Sequence, residues 1–408
     1  MSKKAFLTDI QAGIARMKQT SGEVTIVHHN DADGLSSAAV LQVALSRAGF
    51  SVRRVPLERV HPPIVERIHE QFSSTILYVD LGGKAAPVIS EANRGRSFTI
   101  ILDHHHPEKS TDSQVLNLTT EFYGLSGEMD ISAATAAYLF ASVLDEKNHD
   151  LAYLGVVGAV GDSHDRSGQL VGENRLALEE AIERGQVRIE RFDNREHYTL
   201  TRFGNEMPMP EFCEQITTLG APGYYMDGPD FGVRMCIEGP SQGARQKFEE
   251  LHRIKETAYQ NVLAKLTRGG LQETQYCQWF VVGNDFAPMG VKTIGEFCGE
   301  IRDADFIHPD KYIVGCQIMD RKVPGLGTFD WSIYKVSMRV PSPLEHKIVV
   351  EHTMPGLAYL VPEAAQQIGG SIDACHDYSA ATVIEKGQEQ ELIAAMDKLV
   401  ETWKGSSH

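Results

Sequence analysis

Acidic and imidazole side chains recur at four places in the N-terminal half of this 408-residue chain. They are His29, Asp31 and Asp33, then Asp80, then Asp103, His104 and His105, and finally Asp162. Taken singly, an aspartate after a strand is often a helix cap or a turn residue, and a lone histidine is more often structural than a ligand. Taken together, converging carboxylates repel one another and need counter-charge, which no neighbouring run of lysines supplies. The pattern therefore predicts bound divalent cations.

The ligand types favour particular metals and a particular reaction. Carboxylate and imidazole groups without thiolates favour Mn²⁺ or Mg²⁺, with zinc, iron or Co²⁺ possible. Four carboxylates nearly neutralise two dications, and one aspartate, for which Asp80 is our candidate, can bridge ions about 3.5–4 Å apart. A water molecule held between the ions would become hydroxide near neutral pH and attack a phosphorus atom. The residues thus predict hydrolysis of a phosphoester or a phosphoanhydride.

Alternating strand-like and helix-like segments must position these side chains. Short runs rich in Val, Ile and Leu end near His29, Asp80 and Asp103, and the segments between them have helical spacing. This alternation predicts βαβ units around a parallel sheet. Because ligands of open parallel sheets bind beyond the carboxyl ends of the strands, the three strand ends would bring their polar groups to one edge. Asp162, at the end of an apolar helical segment, would complete the ring.

The chain as a whole is predicted to be an α/β protein with two lobes, as its length allows. We expect an N-terminal parallel-sheet domain over residues 1–190, a more polar connector over residues 191–265 and a smaller C-terminal α/β domain over residues 266–404. A cleft between the two domains would hold the substrate. At the first helix, Gly34, Ser36 and Ser37 would offer an anion site through free N–H groups, or would simply serve as a tight turn and a cap.

Composition limits the classes of partner. The formal net charge of −16 gives no support for tight, salt-driven binding to long nucleic acid. No apolar run approaches the ~18 residues of a membrane span, and the start lacks the features of a signal peptide, so a cytoplasmic protein without a membrane partner is expected. Without a C-x-x-C pair, reduced and mostly buried thiols are expected instead of a disulfide framework or a zinc ribbon. The six cysteines concerned are Cys213, Cys236, Cys277, Cys298, Cys316 and Cys375.

The four clusters closely resemble the ordered motifs of the DHH phosphoesterase superfamily. This superfamily includes RecJ-type exonucleases, nano-RNases, cyclic-dinucleotide phosphodiesterases, family II pyrophosphatases and exopolyphosphatases. The signature H-x-D-x-D-G stands at residues 29–34, the second motif is Asp80 in "LYVDLGG", the third is the triplet at residues 103–105, and the fourth is Gly161-Asp162. The resemblance covers most of the chain.

The resemblance implies two manganese ions and a role for each motif residue. One ion would be held by His29, Asp31 and Asp80, and the other by Asp33, Asp80, His104 and Asp162. The family pattern implies that His105 faces the phosphate and that Asp103 accepts a hydrogen bond that orients a ligand and fixes an imidazole tautomer. His28 and His106 extend the motifs by one residue each, and neither is assigned a ligand role.

The second lobe resembles the DHH-associated domain, which grips the substrate beyond the scissile phosphate. Arg339 in "KVSMR" offers a planar fork for phosphate, and Gly369, Gly370 and His376 stand where a glycine-rich substrate loop is expected. A surface ion pair for Arg339 and a helix C-cap at Gly369 are the structural alternatives. Two departures from the family loop are the inserted "SIDAC" and threonine in place of its last glycine. The S-R-K-K-Q pattern of family II pyrophosphatases is missing, which makes pyrophosphatase a weaker candidate than the other activities of the superfamily.

The sequence therefore predicts a manganese-dependent phosphodiesterase that hydrolyses short oligonucleotides or small nucleotide diesters. The acidic balance favours short substrates over long duplexes. Exopolyphosphatase or another phosphoanhydride hydrolase is the alternative within the same chemistry. A non-catalytic nucleic-acid-processing scaffold is the alternative from another class, although the ligands are intact at every motif. A homodimer is one possible oligomeric state.

Overall fold

Five parallel strands form the sheet that carries the motif residues, in the order β2-β1-β3-β4-β5. All five residues of β3 are buried, as is usual when helices cover both faces of a parallel sheet. The register pairs His28 with Val79 and Val79 with Leu102, so β1, β3 and β4 end at the same level. The strands are β1 (Glu23–His29), β2 (Ser51–Leu57), β3 (Thr75–Val79), β4 (Thr99–Leu102) and β5 (Val115–Asn117).

Helices join these strands and continue after them, as the alternating pattern predicts. The helices α5 and α6 are apolar nearly all round and largely buried, and they pack together with the first long helix of the sheet, α2. The helices up to this point are α1 (Lys3–Met17), α2 (Ala32–Arg47), α3 (Pro62–Gln71), α4 (Ala86–Asn93), α5 (Ala133–Leu144), α6 (Ala152–Gly161) and α7 (Gly172–Glu183).

The stretch after α7 is more ordered than a connector. It forms a small antiparallel sheet and two helices, and the helices pack on the N-terminal core: the thiol of Cys213 donates to the Val157 carbonyl, and the hydroxyl of Tyr153 donates to the Cys236 carbonyl. The elements are β6 (Val187–Phe192), β7 (Arg195–Leu200), β8 (Met207–Pro208), α8 (Met209–Gly220), α9 (Gly228–Glu238) and the long α10 (Gln242–Lys265).

The structure, a computed structural model, describes residues 2–20 and 22–405, without the side chains of residues 372–374. It divides into two compact units, of which the first holds residues 1–249 and 324–327 and the second holds residues 250–323 and 328–408. The division falls within α10, so residues 191–249 of the predicted connector cluster with the N-terminal unit. Their apolar faces on α8 and α9, which the polar composition of the stretch obscured, account for this difference.

The second unit has a mixed sheet of six strands in the order β15-β16-β14-β11-β10-β9. Only β10 and β11 pair in parallel, and the other neighbours are antiparallel. One face of this sheet contributes Tyr312, Val336 and Met338 to a core that includes Leu360 and Met396 of the covering helices. The six strands of this sheet are β9 (Gln272–Glu273), β10 (Cys277–Gly283), β11 (Tyr312–Ile318), β14 (Ile333–Arg339), β15 (Ser371–Cys375) and β16 (Ser379–Glu385). A separate two-stranded sheet consists of β12 (Lys322–Val323) and β13 (Gly327–Thr328). The helices are α11 (Lys292–Glu300), α12 (Ser342–Val349), α13 (Leu357–Gln367) and α14 (Glu389–Gly405).

The predicted fold class is confirmed: an N-terminal parallel-sheet part is followed by a further α/β part. The six cysteines are free, and five of them are buried, with Cys375 half-buried. Among the described residues, no helix combines the length and the apolar character that crossing a membrane requires.

Candidate metal centre

Polar residues from three strand ends meet at one edge of the parallel sheet. His29 is the last residue of β1, Asp80 directly follows β3, and Asp103 directly follows β4. Asp80 has a left-handed backbone with φ +61°, a conformation that aspartate adopts more readily than most residues. Strain of this kind amounts to ~1–3 kcal/mol and clusters at functional sites. Asp80 is also almost fully buried.

The first group of potential ligands is built around His29. Its Nδ1 lies 2.9 Å from Oδ2 of Asp31 and 3.4 Å from Oδ2 of Asp80. Asp31 is also the N-cap of α2, because its Oδ1 accepts a hydrogen bond from the Gly34 amide at 3.1 Å. This cap explains why an aspartate stands there, and it leaves the other carboxylate oxygen directed at His29.

The second group surrounds Nε2 of His104. This atom lies 3.4 Å from Oδ1 of Asp80, 3.6 Å from Oδ2 of Asp162 and 3.8 Å from Oδ2 of Asp33. Burial alone lowers the pKa of His104, but the carboxylates of Asp80, Asp162 and Asp33 hold that pKa well above its usual value in the metal-free protein.

A backbone contact fixes the orientation of the His104 ring. Its Nδ1 lies 2.7 Å from the carbonyl oxygen of Gly127, which can only accept, so Nδ1 carries a hydrogen and Nε2 is the nitrogen that faces the carboxylates. Gly127 has to be glycine because a Cβ atom there would lie 1.7 Å from the His104 carbonyl oxygen. The segment after β5 thus positions the ring without contributing a ligand.

Asp33 is held by the start of another helix. Its two carboxylate oxygens accept hydrogen bonds from the amides of Ala133 and Ala134, each at 2.8 Å, at the N-terminus of α5. Burial and the neighbouring charge of Asp80 nevertheless raise the pKa of Asp33 well above its usual value. A Cβ atom on Gly158 would lie 2.1 Å from Oδ1 of Asp33, so α6 needs a glycine at this point.

Asp103 orients His105. Its Oδ1 lies 2.8 Å from Nδ1 of His105 and accepts from the His104 amide, while Oδ2 accepts from the Gly83 amide at 2.7 Å. Burial raises the pKa of Asp103, but these donors and the two imidazoles hold it below its usual range. Partial desolvation and the nearby His104 lower the pKa of His105, but the Asp103 carboxylate outweighs them and raises it. The His105 side chain remains 53% exposed.

His164 belongs to the same cluster, and the sequence analysis missed it. Its Nε2 lies 3.0 Å from Oδ2 of Asp162, and its Nδ1 accepts from the side-chain amide of Asn174 at 2.8 Å. Because Asn174 donates to Nδ1, Nε2 carries the hydrogen and donates to Asp162. This bond and the charge of His104 outweigh burial and hold the pKa of Asp162 below its usual value. The spacing Asp-x-His in "GDSHD" is a signal, but within a turn it does not show which way the ring points.

The cluster has the properties of a site for divalent cations. Two buried atoms, Nε2 of His104 and Oδ2 of Asp80, make no hydrogen bond to any residue in the described ranges. An unmet buried polar group costs ~1–3 kcal/mol, so two of them within one ring of carboxylates fit a bound cation. Three sets of side chains place ligand atoms within 4.8 Å of one another. The sets are His29, Asp31 and Asp80; His104, Asp162 and His164; and Asp80, Asp103, His104 and His105.

Three residues near the cluster have other surroundings. His28 is fully buried with Nδ1 at 2.7 Å from the His29 carbonyl, and burial lowers its pKa to about 3. His106 is exposed. Ser36, a predicted substrate contact, is fully buried, and its hydroxyl lies 2.6 Å from the Ala32 carbonyl within the same helix. Its single hydrogen is therefore committed to α2 and is not available to a phosphate oxygen.

The remaining predicted substrate residues lie in the second unit. Gly369, with φ +73°, and Gly370 close the end of α13, where their amides donate to the carbonyls of Gln366 and Ala365. This is a Schellman cap, so the structural alternative describes both glycines, and neither amide can donate to an anion. His376 is exposed and stacks with Tyr378, with ring centroids 6.2 Å apart.

Arg339, at the end of β14, lies against α11. One guanidinium nitrogen donates to the Met338 carbonyl at 2.8 Å, and the group runs past Gly295 and Gly299, the positions on α11 with the least bulk. Burial and the charge of Arg302 lower the pKa of Arg339. Within the described part of the chain, no carboxylate forms an ion pair with Arg339, so the surface ion pair considered from the sequence is not formed.

Comparisons with known proteins agree with the motifs. Residues 23–158 match the family model described as DHH family, N-terminal domain. An uncharacterised protein of Methanocaldococcus jannaschii is 28% identical over 174 residues, which cover 41% of this chain and 39% of that protein. The family match confirms the resemblance to the DHH superfamily over residues 23–158.

Solved structures with low sequence identity share the fold. RecJ of Thermus thermophilus in complex with Mn²⁺ has a TM-score of 0.60 at 15% identity, covering 97% of this chain and 55% of that one. Exonuclease RecJ bound to manganese has a TM-score of 0.57 at 16% identity, covering 98% and 95%. CDC45 from Entamoeba histolytica has a TM-score of 0.60 at 11% identity, covering 98% and 99%. The matched part of this chain covers 39% of the curated relative and 55% of the Thermus protein.

Proposed function

We propose that this protein is a metal-dependent phosphoesterase of the DHH superfamily that hydrolyses short oligonucleotides or small nucleotide diesters. The observation that carries the proposal is the pair of buried, unbonded atoms, Nε2 of His104 and Oδ2 of Asp80, inside a ring of carboxylates. Manganese in two RecJ structures of the same fold supports the choice of metal. Mg²⁺ and Co²⁺ take similar ligands.

Two sets of side chains would hold two ions. His29, Asp31 and Asp80 would hold one, in agreement with their mutual distances. Asp33, Asp80, His104 and Asp162 would hold the other, with Asp80 shared between the two sets. When bound, the ions would supply an acidified water molecule and counter-charge for phosphoryl oxygens. The buried position of Asp80 between the groups supports its role as the shared ligand.

The chain's own residues supply the remaining chemistry. With Nδ1 of His105 bound to Asp103, Nε2 is the nitrogen that can reach a phosphate oxygen, and the side chain is exposed enough to do so. Its raised pKa favours the protonated ring, which donates a hydrogen bond to an anionic oxygen. Asp103 keeps the ring in this tautomer and orientation. His164 would hold Asp162 in the same way.

The substrate class is the finer part of the proposal. An acidic chain suits a short nucleic acid better than a long one, because phosphate-rich duplexes need a basic face. Exopolyphosphatase is the alternative, since the same metal chemistry cuts phosphoanhydrides. A non-catalytic scaffold is the alternative that involves no reaction, and we retain it because the fold resembles that of CDC45.

A panel assay separates these functions. The protein is incubated with Mn²⁺ and a dinucleotide such as pApA, short RNA and DNA, cyclic dinucleotides and polyphosphate, and the products are separated by chromatography. Hydrolysis of the nucleotide diesters supports the proposal, and hydrolysis of polyphosphate alone supports the alternative. No hydrolysis of any substrate by a protein that binds Mn²⁺ would favour a scaffold.

A variant pair excludes contamination by another nuclease. Asp80→Asn removes the charge of the shared ligand, and asparagine tolerates the left-handed backbone. Asp227 also has a left-handed backbone, with φ +60°, and is exposed outside the cluster, so Asp227→Asn is the matched control. Hydrolysis should disappear in the first variant and persist in the second.

A further inference from the structure

A hairpin formed by β6 and β7 carries an exposed aromatic residue that the metal centre does not explain. The strands are joined by Asp193 and Asn194, with φ values of +53° and +58°, as in a two-residue type I′ turn. Phe192 pairs with Arg195 beside the turn, so their side chains lie on one face of the hairpin. Phe192 is 52% exposed, which is unusual for a large apolar side chain on an ordered strand.

The two faces of the hairpin differ sharply. One face places Val187, Tyr198 and Leu200 in the core. The other face presents Phe192 and His197, whose rings stack in parallel with centroids 3.4 Å apart and an interplanar angle of 2°. His197 thus supports the exposed ring from one side. A flat, supported aromatic ring at a surface is a platform on which a nucleobase can stack.

A cavity of about 530 Å³ lies at the tip of the hairpin. Its lining includes Phe192, Arg191, Arg195, Gln169 and Asn194. These groups match an aromatic base with polar edges and an adjacent phosphate.

The charged residues that line this cavity include two arginines, Arg191 and Arg195. Two acids, Asp193 and Glu196, also contribute to the lining. Glu196, however, is buried and bound by Arg191 at 2.6 Å and by Arg175 at 2.7 Å, and Arg175 also pairs with Glu179 at 3.2 Å, so this group of four is neutral. Arg191, Arg195 and Asp193 are exposed, so the accessible lining offers two guanidinium groups and one carboxylate to a ligand.

The hairpin is tied to the segment that leaves the metal centre. Arg195 donates to the Asp165 carbonyl at 3.2 Å, and the Glu196 amide donates to the Gly168 carbonyl at 2.7 Å. Asp162, at the metal centre, precedes Asp165 by three residues, a span of at most ~11 Å. A strand of a few nucleotides can therefore reach from one to the other.

We propose that the exposed face of this hairpin, Phe192 on His197 with Arg195 beside them, is a stacking site for a nucleobase of a short single-stranded substrate. The inference rests on the proposed phosphoesterase function and deepens it, because a stacking site selects nucleotides over polyphosphate. The base stacks on Phe192, and Arg195 contacts the phosphate on the side of the metal centre.

Binding and cleavage are tested separately. In an Asp80→Asn background, which prevents cleavage, fluorescence anisotropy measures the affinity for a labelled single strand of about six nucleotides. Phe192→Ala should raise Kd by about 5- to 150-fold, the equivalent of ~1–3 kcal/mol per stacked base. Phe192→Tyr should keep the affinity, because the ring is retained. Tyr359→Ala removes another exposed aromatic residue, 43% exposed, outside the hairpin and should leave Kd unchanged.

An abasic strand of the same length separates stacking from charge. It should bind more weakly than the complete strand to the Asp80→Asn protein, and Phe192→Ala should not weaken it further. Equal affinity of the complete strand with and without Phe192, or no binding of that strand at all, overturns the inference. If no substrate in the hydrolysis panel is cut while binding still depends on Phe192, the proposed function fails and the stacking site stands.

Discussion

His164 provides a sharp test of how the metal centre is held together. The ring is 1% exposed, and both nitrogens are hydrogen-bonded, one to Asp162 and one to Asn174. In His164→Phe an aromatic ring is retained beside His104, whose centroid is 5.6 Å away, but both hydrogen bonds are lost. Asp162 then loses the donor that fixes its carboxylate.

The expected loss of Mn²⁺ affinity depends on how far the Asp162 side chain is exposed to water. A hydrogen bond to a charged group contributes ~1.5–3 kcal/mol. The Asp162 side chain is 40% exposed, so water replaces part of the lost bond and the lower end of that range applies. We therefore expect the affinity for Mn²⁺ to fall about tenfold, the equivalent of ~1.4 kcal/mol, at the lower end of the ~10–100-fold effects seen for residues that orient metal ligands.

The assay is isothermal titration with Mn²⁺, supported by thermal unfolding with and without the metal, because a ligand that binds the native state stabilises it. His69 offers a matched control. It is 2% exposed, and its nitrogens lie 3.0 Å from Oδ1 of Asn93 and 3.1 Å from the hydroxyl of Tyr78, outside the cluster. His69→Phe should lower stability without metal to a similar extent and leave Mn²⁺ affinity unchanged.

Two results would refute this reasoning. An unchanged Mn²⁺ affinity in His164→Phe would show that the bond to Asp162 does not position the carboxylate. Loss of binding as complete as in Asp162→Asn would show that His164 is itself a ligand.

Three further predictions concern the metal centre and the second unit. His105→Ala should reduce turnover and leave Mn²⁺ occupancy largely intact, because Nδ1 faces Asp103 and not the ring of ligands. Asp80→Ala should abolish activity. Titration measures the occupancy, and a loss of bound Mn²⁺ in His105→Ala equal to that in Asp80→Ala would contradict the assignment. Arg339→Ala should mainly raise the Michaelis constant, and an unchanged constant in steady-state kinetics would remove Arg339 from the substrate site. Mn²⁺ affinity should rise with pH, because His104 has a raised pKa and must lose its proton before it can bind a cation. Below that pKa we expect the affinity to rise up to about tenfold per pH unit. An affinity that stays constant between about pH 6 and about pH 8 would count against His104 as a ligand.

The sequence predicts the centre well where side chains follow the ends of parallel strands. His29, Asp80 and Asp103 needed only the strand pattern and the rule that these ends share an edge. His104 and Asp33 also meet there, but what holds them could not be predicted, because Gly127 and the amides of α5 act through the backbone. Backbone partners leave no residue type in the sequence to identify them.

Other features needed three-dimensional information for different reasons. A pair of glycines such as Gly369 and Gly370 is expected both in a helix cap and in an anion-binding loop. Only the hydrogen bonds that their amides donate to α13 show that they form a cap. The hairpin at residues 187–200 alternates polar and apolar residues, but its charged residues made the whole stretch look like a connector. Its apolar face becomes apparent only when Tyr198 and Leu200 are seen in the core.

The hydrogen bonds from the start of α5 to Asp33 make an exception to a common rule of helix design. Proline is normally welcome at the first position of a helix, because the amide it removes has no partner there. In this protein Ala133 occupies that position, and its amide is one of the two that hold a carboxylate of the centre. A stabilising substitution chosen by helix statistics alone would therefore loosen the catalytic machinery, although the altered side chain lies on a different helix and is not itself a ligand.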